Sequence, residues 1–325
     1  MAEQRSRGAD YAVYLVVRVL VCIVQALSWP WALALARGVA WLAYRIDRRH
    51  RLIAAENVRH AFPDLDEPGV DQLVRASYLH LTTMLVEMIR MPRVLRPENV
   101  YDYIHHAGPS DLDVVRAWVA TGRPRLVVTG HFGNWEVLNY ATGMVGFRGG
   151  MVARRLDNPY LHRFLAQFRR GTGIELLDKN ADYARILDML SRGIGLGMAG
   201  DQDAGPRGLF VSFFGRPAST FKSIALLSIE YQAPIMVFGA ARIGHPLRYI
   251  MYFEDLILPE DYANHPNAPR AISERFTQAL ERLVRRHPEQ YFWLHRRWKT
   301  QPRAKAAKKA DLRPQDLASA GARER

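Results

Sequence analysis

Leu126-Val-Val-Thr-Gly-His-Phe-Gly-Asn-Trp-Glu136 is the stretch from which the rest of the chain is read. An apolar strand ends at Thr129. Gly130 and Gly133 permit a sharp turn, and Asn134 is a favoured N-cap for the helix after it. His131 therefore sits where a strand hands over to a helix, a placement favoured for functional residues in α/β sheets. His131 and Glu136 are five residues apart, ~140° around an uninterrupted helix. With His131 in the turn and Glu136 in the first helical turn, the two side chains converge. Glu136 is then expected to hold one imidazole nitrogen, fixing the tautomer and stabilising the imidazolium as a triad acid does. The positive end of the helix favours the neutral, basic imidazole. The same residues also fit a plain aromatic-rich turn that packs Phe132 and Trp135 into a core and leaves His131 merely hydrogen-bonded. On the residues alone both readings stand.

Outward from this stretch the rhythm is that of an α/β protein. Short β-rich runs at Arg125–Gly130, Gly150–Arg154, Ile174–Asp178, Gly193–Gly200, Ala233–Arg242 and Leu247–Leu258 alternate with helical patterns. The helical patterns cover Asn134–Met144, Asn158–Arg170, Ala181–Ser191, Ser219–Tyr231 and Ala271–His287. Such alternation indicates a mixed central sheet flanked by helices. Upstream, Arg51–Met91 reads as polar-faced helix with Pro63 and Pro92 as stops. Further upstream, Tyr11–Asp47 is apolar on nearly every side and is flanked by Arg5, Arg7, Arg45, Arg48, Arg49 and Arg51. No small-residue cleavage site of a secretory signal stands out. A spanning helix needs ~20 apolar residues, but Arg18 and Pro30 interrupt this run. It reads as a helical membrane anchor, spanning or interfacial, with a buried helical hairpin as the alternative. Three parts follow: an anchor over 1–50, an α/β domain over 51–300, and a basic, disordered tail over 301–325.

The net charge of +13 is concentrated at the ends: residues 1–60 carry +5 and residues 301–325 carry +4. That pattern suits an anionic membrane surface, where each basic residue is worth about 1 kcal/mol. Nucleic acid is the competing partner, and it is disfavoured because the middle of the chain is near neutral and carries no recognition motif. The single cysteine, Cys22, lies in the apolar run and reads as a small buried hydrophobe, which excludes a disulfide framework. Two motifs are set aside. Gly195-Leu-Gly-Met-Ala-Gly200 matches a dinucleotide fingerprint but is followed by Asp201-Gln-Asp-Ala-Gly-Pro206 rather than a helix. His105-His106 lacks zinc-ligand spacing, and no metal or cofactor is expected. Arg154 lies at a strand end and Arg169–Arg170 at a helix end, so they face one sheet edge or are simply solvated. Asp201 fits a site residue or a turn cap.

A histidine followed five residues later by an acid, after an apolar strand, is the hallmark of glycerolipid-type acyltransferases, and the fuller His-x-Gly-Asn-Trp-Glu string resembles the lipid A secondary (lauroyl/myristoyl) acyltransferase family. Arg154-Arg-Leu-Asp-Asn-Pro159, Gly200-Asp-Gln202, Phe213-Phe-Gly-Arg-Pro-Ala218 and His287-Pro-Glu-Gln-Tyr-Phe-Trp-Leu-His-Arg-Arg-Trp-Lys299 are similar to further blocks of that family, in family order. The N-terminal run departs from the family's usual single membrane helix. The resemblance implies an acyltransferase that moves a fatty acyl chain from acyl carrier protein or coenzyme A to a hydroxyl of a membrane lipid such as a lipid A precursor. It places the enzyme on the cytoplasmic face of a bacterial inner membrane. His131 is implied as general base with Glu136 beside it, and Arg154, Asn158, Arg169, Asp201 and Gln202 as substrate-binding residues. A catalytically silent lipid-binding relative is the alternative within the same fold; a membrane-tethered nucleic-acid-binding protein is the alternative outside it.

Overall fold

In the computed structural model the described residues are 6–108, 111–144, 148–170, 173–179, 181–244 and 246–302, apart from the side chains of 112 and 168–170. The apolar N-terminal run folds as two helices, α1 (Arg7–Ala26) and α2 (Trp29–Ile46), parted at Leu27–Ser28. Pro30 causes no break inside a helix, because it occupies the first turn of α2, where a missing N–H costs nothing. α1 is long and apolar enough to cross a membrane. One side of it is exposed, including Val13, Val16, Val19, Leu20 and Ile23, and Cys22 is exposed there too rather than buried. Its other side packs on the rest of the chain: the Arg18 guanidinium lies 4.9 Å from the centre of the Phe164 ring, a cation–π contact.

Asp47 caps α3 (Arg48–Ala61) and Asp66 caps α4 (Glu67–Val94), each carboxylate accepting a backbone N–H of the first turn. Pro63 lies between these helices, as expected. Pro92 does not stop α4, which continues through it to Val94, so proline here sits within the last turn. The chain then forms α5 (Val100–Tyr103), β1 (Ile104–His106) and α6 (Asp111–Ala120), a region whose elements the sequence patterns do not announce.

The α/β part runs β2 (Leu126–Thr129), α7 (Trp135–Met144), β3 (Gly149–Ala153), α8 (Pro159–Arg170), β4 (Ile174–Asp178), α9 (Tyr183–Ser191) and β5 (Gly195–Ala199). A hairpin of β6 (Leu209–Phe213) and β7 (Arg216–Thr220) follows. After it come α10 (Lys222–Glu230), β8 (Ile235–Arg242), β9 (Tyr249–Ile257) and α11 (Ala268–Arg286). The expected helix over Ser219–Tyr231 therefore begins later, at Lys222. Phe214 and Gly215 both take positive φ (51° and 74°) and close a two-residue turn, the geometry that sends a strand straight back along its partner.

The main sheet has seven strands in the order β1-β9-β8-β2-β5-β3-β4. It is parallel from β8 through β4, with β9 antiparallel to β8. Its two faces carry separate cores. Leu126 and Val128 of β2 join Ile186, Leu190, Ile224, Phe276 and Leu283 on one face. Val127 meets Val137, Leu138, Ala141 and Met236 on the other. β8 is buried along nearly its whole length, as a central strand covered on both faces should be.

Candidate active site

β2 and β5 are parallel neighbours, and Thr129 lies opposite Ala199. Two residues beyond each strand end come His131 and Asp201, so the register of two strands, seventy positions apart in sequence, sets them side by side. The turn between β2 and α7 needs its glycines. Gly133 has φ +57°, and a Cβ there would lie 1.9 Å from the Ala240 carbonyl oxygen. A Cβ on Gly130 would press against the Asp201 carboxyl at 3.2 Å. Without side chains at these points the loop lies flat on β8 and on the Asp201 loop.

Both Asp201 oxygens are committed to His131. Oδ2 accepts the His131 backbone N–H at 2.7 Å, and Oδ1 meets the imidazole Nδ1 at 2.8 Å. Asp201 is 3% exposed and the His131 side chain 22%. Burial pushes the Asp201 carboxyl up, but the His131 charge and hydrogen bonds, with Arg297 nearby, hold it below its ordinary value. Ionised, it can only accept, so Nδ1 carries the proton and Nε2 presents its lone pair. The Gln202 amide Nε2 lies 3.3 Å from that second nitrogen. Burial pushes the His131 pKa down, while the Asp201 charge and hydrogen bond, and the Glu136 charge, push it up and prevail. At this ring the buried carboxylate outweighs the effect of burial.

The expected partner of the imidazole was Glu136. Glu136 is buried in the first turn of α7 and its charge reaches His131, but Nδ1 donates its hydrogen bond to Asp201. The reason is geometric: the loop carries Nδ1 toward β5, not toward its own helix. Asp201, expected among substrate contacts, is thus bound up with the histidine. Arg154 stands at the end of β3 with its side chain 79% exposed and 3.3 Å from Asp157. β3 is two strands from β2, ~10 Å along the sheet edge, so Arg154 shares the edge with His131 without lying beside it. Asn158 is buried and spent on backbone. Its Oδ1 caps α8 by accepting from Tyr160 and Leu161 N–H, and its Nδ2 donates to the Asp10 carbonyl of α1 at 2.8 Å. The Arg169 side chain lies outside the described residues.

Over residues 2–300 the sequence matches the family described as bacterial lipid A biosynthesis acyltransferase. The chain belongs to that family. Among curated relatives, the lipid A biosynthesis lauroyltransferase of Escherichia coli is 26% identical over 291 residues, covering 89% of this chain and 92% of the relative. The lipid A biosynthesis acyltransferase of Haemophilus influenzae is 23% identical over 86% of this chain and 88% of its own. The lipid A biosynthesis palmitoleoyltransferase of Escherichia coli is 24% identical, covering 85% and 87%. The protein is an acyltransferase, and a lipid acceptor and an acyl donor follow from the family.

Around His131 the acyltransferase builds an aromatic and polar setting from its C-terminal stretch. The Trp135 ring centre is 5.0 Å from the centre of the imidazole, and that of Phe292 6.2 Å. The Phe292 N–H donates to the His131 carbonyl. Arg297 is 1% exposed; it donates to the Gln202 carbonyl at 3.3 Å, the Ser219 carbonyl at 2.5 Å and the Thr220 hydroxyl at 2.6 Å. His295 Nε2 accepts the Asp203 N–H at 3.0 Å. These contacts fix the 201–203 loop. Neither Arg297 nor His295 is singled out by the sequence patterns, because a basic stretch reads as surface. Under α7 lies a mostly apolar cavity of about 110 Å³. Val127, Leu138, Ala141, Gly197, Met236 and Phe238 line it, sharing β2 and α7 with the His131 loop.

Proposed function

We propose that the protein moves a fatty acyl chain from a thioester of acyl carrier protein or coenzyme A to a hydroxyl of a membrane glycolipid such as a lipid A precursor, with His131 as general base. The observation that carries this reading is the imidazole held by a buried carboxylate at Nδ1, with Nε2 left as acceptor, at the end of a sheet strand in a chain of this family. The acceptor hydroxyl takes the place beside Nε2 that the Gln202 amide occupies. His131 removes its proton as the hydroxyl oxygen attacks the thioester carbonyl. A C–O bond forms, the tetrahedral oxyanion collapses, the C–S bond breaks, and the departing thiolate takes the proton from the imidazolium. Asp201 holds the tautomer and stabilises the imidazolium; Glu136 adds negative charge behind it. Gln202, once displaced from Nε2, is a donor available to the developing oxyanion. The apolar cavity under α7 is the room for the acyl chain.

The exposed apolar side of α1 supports a membrane anchor within residues 1–50, on the cytoplasmic face of a bacterial inner membrane, with Arg45, Arg48, Arg49 and Arg51 on the cytoplasmic side. The α/β domain of 51–300 then works at the bilayer surface, where its long-chained acceptor resides; the tail expected over 301–325 lies, from 303 on, outside the described residues. The test is transfer by purified protein in detergent, with acyl thioester and a lipid A precursor as substrates. The His131→Ala protein should lose ~10²–10⁴ in kcat while keeping its thermal midpoint. Wild-type turnover by that variant overturns the base assignment.

A further inference from the structure

The buried stripe of α4 that includes Val70, Val74, Met84 and Met91 also carries His80 and Glu87, seven positions apart. Glu87 is completely buried. Its carboxylate accepts from Arg242 Nε at 2.7 Å and Nη2 at 3.0 Å, from the Leu247 N–H at 3.0 Å and from the Tyr249 hydroxyl at 2.5 Å. The Asn134 amide approaches it at 3.5 Å and donates to the Tyr249 oxygen at 2.9 Å. The other end of Asn134, Oδ1, accepts the Val137 N–H and caps α7. Two turns up α4, burial holds the His80 pKa down at about 3. Its neutral Nε2–H donates to the Gly133 carbonyl at 3.0 Å.

Stability does not account for such a cluster. Replacing a buried ion pair by apolar side chains of similar volume is often neutral or stabilising, by ~1–4 kcal/mol. What distinguishes this one is where its donors come from. Asn134 and Gly133 belong to the His131 loop, Arg242 ends β8, and Leu247 and Tyr249 begin β9. Gln290 joins the set from the C-terminal stretch: its amide exchanges two bonds with the Arg242 backbone, and its carbonyl accepts the Gly133 N–H. The His131 loop, the end of β8, the start of β9 and, through Arg242, the C-terminal stretch are therefore tied to one carboxylate on α4.

We propose that Glu87 is a positioning residue for acyl transfer: through Tyr249 and Asn134 it fixes the start of α7 and with it the aim of His131 Nε2. The proposal rests on the reading of His131 as general base. Misplacing a reacting group by ~1 Å from a distant change costs ~10²-fold, so a loosened tether shows in kcat rather than in binding.

Two variants cut the tether without removing the Glu87–Arg242 pair. Asn134→Ser keeps a cap for α7, because a serine hydroxyl accepts the same N–H, but loses both bonds of the amide nitrogen. Tyr249→Phe removes the hydroxyl between Asn134 and Glu87. Both are measured by steady-state transfer from the acyl thioester to the lipid acceptor, alongside Glu87→Gln and His131→Ala. The expected result for Asn134→Ser is a ~10–100-fold fall in kcat, unchanged KM for both substrates, and an acid limb moved to lower pH as the His131–Asp201 bond loosens. Tyr249→Phe shifts the same quantities the same way. Wild-type kcat in both folded variants overturns the proposal. So does a loss of kcat with a parallel rise in KM and an unmoved acid limb, the pattern of general loosening. If Asn134→Ser does not fold, Tyr249→Phe decides alone. An active His131→Ala protein sinks the base assignment instead, so the two failures are told apart.

Discussion

Replacing Asp201 by asparagine isolates what a buried carboxylate does for His131. The aspartate accepts two hydrogen bonds, from the backbone N–H at 2.7 Å and from Nδ1 at 2.8 Å. An asparagine has one oxygen and one donor-only nitrogen, so one of the two His131 donors must face another donor. Such a mismatch costs ~1–3 kcal/mol. If the ring relieves it by moving its proton to Nε2, the lone pair needed for proton abstraction is gone. In the transition state the imidazolium also loses a charged partner worth ~1.5–3 kcal/mol. At about 1.36 kcal/mol per factor of ten, the two losses together predict a kcat lower by roughly 10²–10⁴. The sign of the pH effect is equally determined. The base works when neutral, so activity rises with pH through the His131 pKa, which Asp201 raises above its ordinary value. Without the carboxylate, burial dominates and the acid limb moves to lower pH. The assay is kcat/KM against pH for purified Asp201→Asn and wild-type protein. An unchanged limb together with wild-type kcat refutes the reasoning.

Three further outcomes are expected. A Cβ at Gly197 meets only ordinary contacts, 3.7 Å to the Gly150 oxygen and 3.8 Å to Asn139. Gly197→Val should therefore intrude on the cavity and favour shorter donors, with kcat/KM for long chains falling about fourfold per excluded methylene; an unaltered chain-length profile removes the cavity from the acyl path. The full-length protein should stay with membranes through carbonate and high-salt washes. Val16→Lys/Val19→Lys/Ile23→Lys, on the exposed side of α1, should be released by salt alone, since basic attraction fades within a Debye length of ~8 Å; retention of that variant contradicts the anchor. Ending the chain at Pro302 should leave most of the activity in detergent, and loss of more than half of it assigns the tail to the site.

The strand, the turn and the helix around His131 were legible because their signals are local: an apolar run, two glycines, and an N-cap within eleven residues. The identity of the acid at Nδ1 was not. Sequence proximity favoured Glu136, whereas the contact with Asp201 exists only because β2 and β5 are parallel neighbours in one register. Asn158 shows the same limit from the other side, since its role depends on where the Asp10 carbonyl of α1 comes to lie. The expected helix over Ser219–Tyr231 starts late because Ser219 and Thr220 pair with Phe210 and Leu209 in the β6–β7 hairpin, a contact that local composition does not announce. Pro92 marks the neighbourhood of a helix end but not the end itself. Glu87 left a readable trace, a charge on the apolar stripe of α4, and a buried charge needs a partner. Only the fold says that the partner is Arg242.

The central claim, acyl transfer to a lipid A precursor with His131 as base, meets its most direct test in the lipids of the source bacterium. Mass spectrometry would compare lipid A from cells lacking the gene, from cells complemented with the wild-type protein, and from cells complemented with His131→Ala at matched expression. The expected result is a lipid A lighter by one acyl group in the deletion, restored by the wild type and not by His131→Ala. An unchanged lipid A mass in the deletion, or full restoration by His131→Ala, contradicts it.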